Sequence, residues 1–305
     1  NSPQNISGDL IIIAHGFAGS TSFMRSIAVS LASSGHIAVR FDFLGHGKNN
    51  FPFHGDVTSV NGPTQEFLLQ LNSIIEIYKK KYNFSKVVLL GHSMATDLII
   101  RSANSRDDVK SVIGISTYSN EKLKNNFPNL LILNGEWESG LRKKSKDILK
   151  NTGINNPDEN TLYGSFKEGN ARLIKFISAV DHVSILYSSS TQREINKWLR
   201  LLNPHETEIV VNKQGVWLLI IFLSLFFIFL IIVRIFPEKK VDKFNINIYK
   251  FLLINILSII FIPFLLKYFS IEFLAFPVHN YIINHLLLLS MIIITFTPLI
   301  YKLDF

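Results

Sequence analysis

The sequence contains no cysteine among its 305 residues. This absence excludes a disulfide framework, a metal site built from thiolates and a cysteine nucleophile, although it does not fix the compartment of the protein. The apolar residues are also unevenly spread: residues 1–205 have the composition of a soluble domain, whereas residues 216–305 are dominated by isoleucine, leucine and phenylalanine. We therefore predict a globular domain over 1–205, a linker over 206–215 and a membrane region over 216–305.

The basic residues do not form the stripe with interleaved aromatics that is typical of a nucleic-acid-binding surface. The formal net charge is +8 at pH 7. The lysines and arginines are nevertheless scattered, with small clusters at 79–81, at 142–144 and beside the apolar segments. Charge runs of this kind are typical of solvated faces. We therefore expect no nucleic-acid partner.

Apolar runs with the length of buried strands alternate with helical patterns through the first 205 residues. Continuous apolar runs are typical of strands covered on both faces, and apolar positions at helical spacing predict the helices between them. Strands that alternate with helices indicate an α/β fold, in which right-handed crossovers cover both faces of a mostly parallel sheet. The predicted strands are 10–14, 37–43, a run beginning at Val87, 112–116, 130–134 and 173–178.

The stretch from Val87 to Ala95 is an apolar strand that runs directly into a helix, and it contains the spacing Gly-x-Ser-x-small around Ser93. In such a turn the serine hydroxyl is lifted clear of the backbone, and the amides that begin the helix point at whatever the serine attacks. Small residues such as Gly91 are needed because the strand and the helix nearly touch. We interpret Ser93 as a nucleophile; the alternative interpretation is a helix N-cap.

This turn is one of five motifs that follow each other in a fixed order over about residues 8–203. The other four are His15-Gly16-Phe17, residues 42–47, Gly135-Glu136-Trp137-Glu138 and Asp181-His182. Together they resemble the α/β-hydrolase superfamily, and they are most similar to its serine-aminopeptidase and monoglyceride-lipase-like branch. The resemblance implies an α/β-hydrolase sheet with helices on both faces, a minimal lid at 117–128, and a triad in the order serine, acid, histidine.

The resemblance places the base at His182 and the acid at Glu138. A serine hydroxyl is a poor nucleophile unless a base lies within hydrogen-bond reach, and the acid holds the imidazole in one tautomer. Glu138 stands where aspartate is more usual, so Glu136 remains an alternative acid. We expect Asp181 to be a turn residue, and the alternative interpretation of His182 is a surface loop histidine.

The resemblance also gives the oxyanion-hole donors as the backbone amides of Phe17 and Met94. With so small a lid the acyl pocket would be open, and Phe17, Tyr118, Trp137 and Val183 are candidates for its walls; ordinary packing is the alternative for each. The resemblance implies no cofactor and no metal.

The apolar region predicts three transmembrane helices, at 216–236, 249–268 and 281–301, since one bilayer crossing needs about 20 apolar residues. Basic residues crowd the connection between the first two spans, and the positive-inside tendency makes that connection cytoplasmic. We therefore predict a multi-pass integral membrane protein with an extracytoplasmic hydrolase domain. Because the chain begins at Asn1 with strand signals almost at once, we expect that residues precede it, and another span among them stays an open alternative. The basic residues of the connection between the first two spans are Arg234, Lys239, Lys240, Lys243 and Lys250.

The sequence as a whole predicts a membrane-anchored serine hydrolase that cleaves an ester, thioester or amide through an acyl-enzyme. Carboxylic ester hydrolysis is the reaction that we favour, with a small-molecule or lipid acyl compound as substrate. Two alternatives stay open: an acyltransferase that uses the same triad, and a catalytically silent membrane scaffold.

Overall fold

Six apolar runs of the chain pair side by side as the strands of one sheet. The structure is a computed structural model, described over residues 8–53, 62–204, 208–235, 248–269 and 277–300. The elements in chain order are β1 (Leu10–Ala14), α1 (Arg25–Ser33), β2 (Ile37–Arg40), α2 (Pro63–Tyr82), β3 (Val87–His92), α3 (Met94–Ser105), β4 (Val109–Ile115), β5 (Asn129–Gly135), α4 (Ser139–Lys150), β6 (Arg172–Ile177), a 3₁₀ turn (Ser184–Tyr187), α5 (Ser189–Leu202), α6 (Gln214–Ile235), α7 (Ile248–Leu266) and α8 (Pro277–Ile300).

The strands lie in the order β2-β1-β3-β4-β5-β6, and every neighbouring pair is parallel. A parallel pair requires a crossover connection, so the intervening helices lie against the faces of the sheet. The predicted α/β class with a parallel sheet is therefore confirmed. The carboxyl ends of all six strands meet at one edge, which we call the carboxyl edge.

The two faces of the sheet carry separate apolar clusters, because successive side chains of a strand point in opposite directions. Leu89 packs in the cluster that includes residues of α2, α3 and α4. Its neighbour Leu90 packs in the cluster that includes residues of α1 and α5. Since both faces are covered, the strands are apolar at nearly every position, which is why the sequence signal was continuous rather than alternating.

The second strand is shorter than its sequence predicts, since it ends at Arg40 instead of residue 43. The carboxylate of Asp42 accepts hydrogen bonds from the backbone amides of Thr21, at 2.6 Å, and Lys48, at 3.0 Å. These contacts turn the chain away from the sheet. The predicted end of this strand is therefore wrong, because apolar Phe41 and Phe43 pack in a loop.

Two compact units make up the chain, one that contains the sheet and extends to Ile221 and one that begins at Phe222. Helices occupy all three segments predicted to span a membrane. α6 and α7 are long and apolar enough to cross a bilayer, and the described apolar part of α8 is Tyr281–Phe296. In the second unit α7 packs against α8. The basic residues Lys239, Lys240 and Lys243, on which the predicted orientation depends, lie outside the described residues.

Truncation of a core leucine in the central sheet should lower the free energy of unfolding sharply. Leu131 is fully buried, whereas Leu69 on α2 is 68% exposed. We expect Leu131→Ala to cost about 2–5 kcal/mol because it leaves a cavity, and Leu69→Ala to change stability by about 0.5 kcal/mol or less. Urea denaturation of the detergent-solubilised chain, followed by tryptophan fluorescence, measures both; equal effects would contradict the packing described above.

Candidate active site

Ser93 occupies the single residue between the end of β3 and the start of α3. Its backbone has φ 53° and ψ −121°, a strained conformation that non-glycine residues rarely adopt. Gly91 allows this turn, because a Cβ there would lie 2.9 Å from the carbonyl oxygen of Ala95. Gly16 from the loop after β1 approaches equally closely, since its Cβ would lie 2.9 Å from that of Ser93. The steric reason for small residues predicted from the sequence therefore holds at Gly91.

The structure brings Ser93, His182 and Glu138 into one hydrogen-bonded line. The Nε2 atom of His182 lies 2.8 Å from Oγ of Ser93, and its Nδ1 atom lies 2.6 Å from Oε1 of Glu138. These residues follow β3, β6 and β5, so the carboxyl edge is where they meet. His182 and Ser93 are 89 positions apart in the sequence. The line can therefore pass a proton from the hydroxyl to the imidazole while the carboxylate faces the far nitrogen.

Glu138 is held as a carboxylate by three donors. Besides His182, the amide of Gly135 donates to its Oε2 at 2.6 Å and the hydroxyl of Ser116 at 3.0 Å. Burial raises the pKa of this carboxyl, but the hydrogen bonds from His182, Gly135 and Ser116 outweigh burial, so that the pKa lies below its usual value. Glu136, the alternative acid, instead accepts from the amide of Ala179 at 2.9 Å.

Two features fix the turn that carries His182. Asp181 accepts hydrogen bonds from the backbone amides of Val183 and Ser184, at 3.0 and 2.8 Å, which is the turn role that its sequence position suggests. The Nε2 atom of His92 lies 2.8 Å from the carbonyl oxygen of His182 and donates to it. Burial lowers the pKa of His92 to about 4, so its ring is neutral at pH 7. No sequence signal pointed to the contact with His182.

His15 fixes the loop that carries Phe17. The backbone amide of Phe43 donates to its Nε2 at 3.1 Å, which leaves the Nδ1–H to donate to the carbonyl oxygen of Gly16 at 2.8 Å. Only the neutral ring can make both bonds. Burial is the main cause that lowers the pKa of His15 to about 4. His15 is thus a structural hydrogen-bonding residue.

The amides of Phe17 and Met94 are available as donors beside Ser93. Met94 is the first residue of α3, and Phe17 follows Gly16, which packs against Ser93. Within the described part of the chain neither amide donates a hydrogen bond to another group. Unpaired amides at a helix start favour a developing negative charge. The two positions thus fit the oxyanion hole that the resemblance implies.

A cleft of about 570 Å³ opens beside Ser93 and His182. Of the four predicted wall residues Tyr118 is among those that line it, whereas Phe17, Trp137 and Val183 lie outside this lining. Side chains on loops have no periodicity from which their direction can be predicted. The lining residues are Thr64, Phe67, Ser93, Met94, Asp97, Leu98, Arg101, Ser116, Tyr118, Asn120, Leu141 and His182.

The short loop at 117–128, predicted to be a minimal lid, is tied to α3. The hydroxyl of Thr96 bonds the carbonyl oxygen of Tyr118 at 2.8 Å, and the amide of Tyr118 donates back to that hydroxyl at 3.0 Å. Asp97 accepts from Ser119 at 2.5 Å, and Arg101 pairs with Glu121 at 2.6 Å. The loop therefore forms a fixed wall of the cleft.

Within the part of the chain that the structure describes, no group of three or more histidine, aspartate and glutamate side chains lies close enough to hold a metal ion.

A protein-family model described as serine aminopeptidase, S33, matches residues 7–166. The match therefore includes the turn at Ser93 and the acid Glu138, and it ends before His182. No curated protein matches the chain significantly.

Several solved structures are similar to this chain at low sequence identity. TT1662 from Thermus thermophilus has a TM-score of 0.50 at 13% identity, over 67% of this chain and 92% of its own. A soluble variant of monoglyceride lipase from Saccharomyces cerevisiae has a TM-score of 0.48 at 13% identity, over 68% of this chain and 90% of its own. The monoacylglycerol lipase of Paleococcus ferrophilus has a TM-score of 0.45 at 16% identity, over 62% of this chain and 93% of its own. At these identities the likeness concerns the fold alone.

The buried neutral histidines predict a loss of stability at mildly acidic pH. The pKa of His92 is about 4 in the folded chain and about 6.5 when unfolded, so the unfolded state binds more protons between these values. Stability should then fall as the pH drops from about 6.5 to about 4, by about 2 kcal/mol at pH 5 for this residue. The variant His92→Gln, which keeps a donor for His182, should lose less stability between pH 7 and pH 5 in thermal melts; an unchanged loss would contradict the assignment.

Proposed function

We propose, from the premise that this chain belongs to the serine aminopeptidase S33 family, that it is a membrane-anchored serine hydrolase acting on an acyl substrate. The observation that carries the proposal is the line Ser93–His182–Glu138, with heavy-atom distances of 2.8 and 2.6 Å. The bond cleaved is an ester, a thioester or an amide, and a carboxylic ester is the reaction that we favour.

In the first half of the reaction Oγ of Ser93 attacks the substrate carbonyl carbon while Nε2 of His182 takes the hydroxyl proton. The carbonyl oxygen becomes negatively charged and accepts hydrogen bonds from the amides of Phe17 and Met94. When the tetrahedral intermediate collapses, the imidazolium returns its proton to the leaving group. An ester between Ser93 and the acyl group remains.

In the second half a water molecule attacks this ester. His182 takes a proton from the water and returns it to Oγ of Ser93, which restores the enzyme and releases the acid. Glu138 accepts from the Nδ1–H throughout, so that the lone pair of Nε2 faces Ser93 and the transient imidazolium is stabilised. Its depressed pKa keeps this carboxylate ionised at neutral pH.

An acyl chain is the substrate group that best fits the cleft. Phe67, Met94, Leu98 and Leu141 supply apolar wall beside Ser93, and apolar walls with a few polar groups are typical of small-molecule sites. The wall also carries Arg101, which is already paired with acidic side chains. We infer an uncharged acyl group as the part of the substrate that enters.

Membrane anchoring by the apolar helices is the second element of the proposal. α6 has 22 residues, which correspond to about 33 Å at 1.5 Å per residue, enough for a bilayer core. None of its side chains is buried in the structure, whereas a helix in the core of a soluble protein is mostly buried. We propose that α6, α7 and α8 cross the membrane and that the hydrolase domain lies outside the cytoplasm.

Removal of the nucleophile should abolish covalent labelling. A fluorophosphonate probe should label the full chain in membranes and fail to label Ser93→Ala. The variant Ser73→Ala, at an exposed position of α2 that does not line the cleft, should label like the parent. Labelling of Ser93→Ala, or an unlabelled parent, would contradict the nucleophile assignment; an unlabelled parent would instead favour a silent scaffold.

Removal of the carboxylate charge should lower the rate without weakening binding. We expect Glu138→Gln to reduce kcat by about 10⁴-fold with KM little changed, because the amide no longer holds the productive tautomer. Hydrolysis of p-nitrophenyl esters of graded chain length measures this. Glu136→Gln is the matched control in the same loop and should lose far less; the reverse ranking would assign the acid to Glu136.

The anchoring has its own test. After alkaline carbonate extraction the full chain should remain with the membrane pellet, because three apolar helices cannot be released by loss of charge contacts. Recovery in the supernatant would show that the chain is not embedded. Protease added outside intact cells should remove the hydrolase domain; protection from it would reverse the proposed orientation.

A further inference from the structure

Three large apolar side chains stand exposed around the cleft without forming its walls. Phe17 is 43% exposed, Trp137 is 67% exposed and Val183 is 47% exposed. They lie on the loops that follow β1, β5 and β6, so all three are at the carboxyl edge of the sheet. We call them the edge trio. Exposed apolar side chains grouped beside an active site are a recurrent sign of an interaction surface.

The segment that leads to α6 is docked on the hydrolase domain. We call residues 208–213 the strap. Its Val210 amide donates to Oγ of Ser34 at 3.1 Å, and the hydroxyl of Ser30 donates to the Val210 carbonyl oxygen. Ser30 lies in the last part of α1, and Ser34 caps the end of that helix. The strap therefore begins its path near the amino ends of the strands.

The strap continues along α1 towards the carboxyl edge. The amide of Asn212 donates to Oε1 of Gln192 at 2.7 Å, and Nε2 of Gln192 donates to the Asn212 carbonyl oxygen at 3.1 Å. Nε2 of Gln192 also donates to Oγ of Ser26, near the start of α1, at 2.9 Å. Gln192 and Ser26 are fully buried. These reciprocal bonds with a buried side-chain amide hold the strap against the domain.

The strap delivers the first turn of α6 to the same edge as the catalytic residues. The side chain of Asn212 accepts from the amide of Gln214 at 2.8 Å and so starts the helix. Gly215 touches Tyr187, since a Cβ there would lie 2.9 Å from that of Tyr187. Tyr187 ends the 3₁₀ turn directly after the loop of His182. Trp217 lies in this first turn of α6, 63% exposed.

We propose that the carboxyl edge of the hydrolase domain is a membrane-docking surface, on which the edge trio enters the interfacial layer of a phospholipid bilayer. The proposal rests on the membrane anchoring proposed above. Tryptophan is enriched at the membrane–water interface, so Trp217 sets the level of that interface in the first turn of α6. The strap holds that turn at the edge where Trp137 and Val183 are exposed. The cleft then opens at the interfacial layer, where the acyl chains of lipids are joined to their headgroups.

Single-cysteine variants can test the docking, because the parent chain has no cysteine. Trp137→Cys and Val183→Cys each carry a nitroxide spin label, in the full chain reconstituted into vesicles of phosphatidylcholine and phosphatidylglycerol. Ile77→Cys and Leu201→Cys, each 57% exposed and near the amino ends of the strands, are the matched controls. Circular dichroism melts in detergent confirm that each variant is folded. Power saturation measures collision with oxygen, which enters lipid, and with a water-soluble nickel chelate.

We expect the labels at 137 and 183 to lose nickel accessibility relative to the controls and to gain oxygen accessibility. Labels at 137 and 183 that are as open to the nickel chelate as the controls would overturn the docking. Labels shielded from both reagents would overturn it in favour of a second copy of the chain or another protein on this surface. Flotation of the vesicles separates the premise from the proposal: a chain that fails to float overturns both, whereas a floating chain with water-exposed labels overturns the docking alone.

Discussion

Parallel pairing of the six strands is the constraint on which the site depends. Because all strands run in one direction, their carboxyl ends share an edge, and the residues that follow β3, β5 and β6 meet there. Ser93, Glu138 and His182 thereby come within hydrogen-bond distance, although the chain between the first and last is 89 positions long. The strained backbone at Ser93 is possible because the buried strand before it and the helix after it leave no freedom to relax.

The support around this line consists of groups that add no positive charge. His15 and His92 are neutral at pH 7, since burial lowers the pKa of each to about 4. A charged imidazole within contact of His182 would oppose its protonation, which the proposed reaction requires. The ring centroids of His92 and His182 are 4.9 Å apart. Neutral histidines thus position the loops through hydrogen bonds, while Glu138 remains the negative partner of His182.

The order of the five motifs along the chain predicted more of the fold and of the candidate site than any one of those motifs did alone. The strands, the turn at Ser93 and the α/β-hydrolase resemblance are confirmed, since they depend on apolar runs and small residues that are local in the sequence. The resemblance favoured Glu138 but left Glu136 as an alternative, because both lie in one loop. The contact of Glu138 with His182 and that of Glu136 with Ala179 separate them in the structure. The sequence predicts a linker over 206–215 and gives no sign that the strap is docked. Val210 and Asn212 dock through backbone groups, which every residue type carries.

The docked strap lowers the free energy that the exposed side chains of the edge trio would have to contribute to the proposed membrane docking. A flexible linker would let the domain sample all orientations above the bilayer, and surface contacts would have to overcome that entropy. Here the first turn of α6 is fixed beside Tyr187, so this turn lacks such freedom relative to the domain. In the docking that we propose, the contact of the edge trio with lipid is therefore tethered and acts at a high effective concentration. A contribution of about 1–2 kcal/mol for each partly buried side chain would then be enough to keep the cleft at the interface.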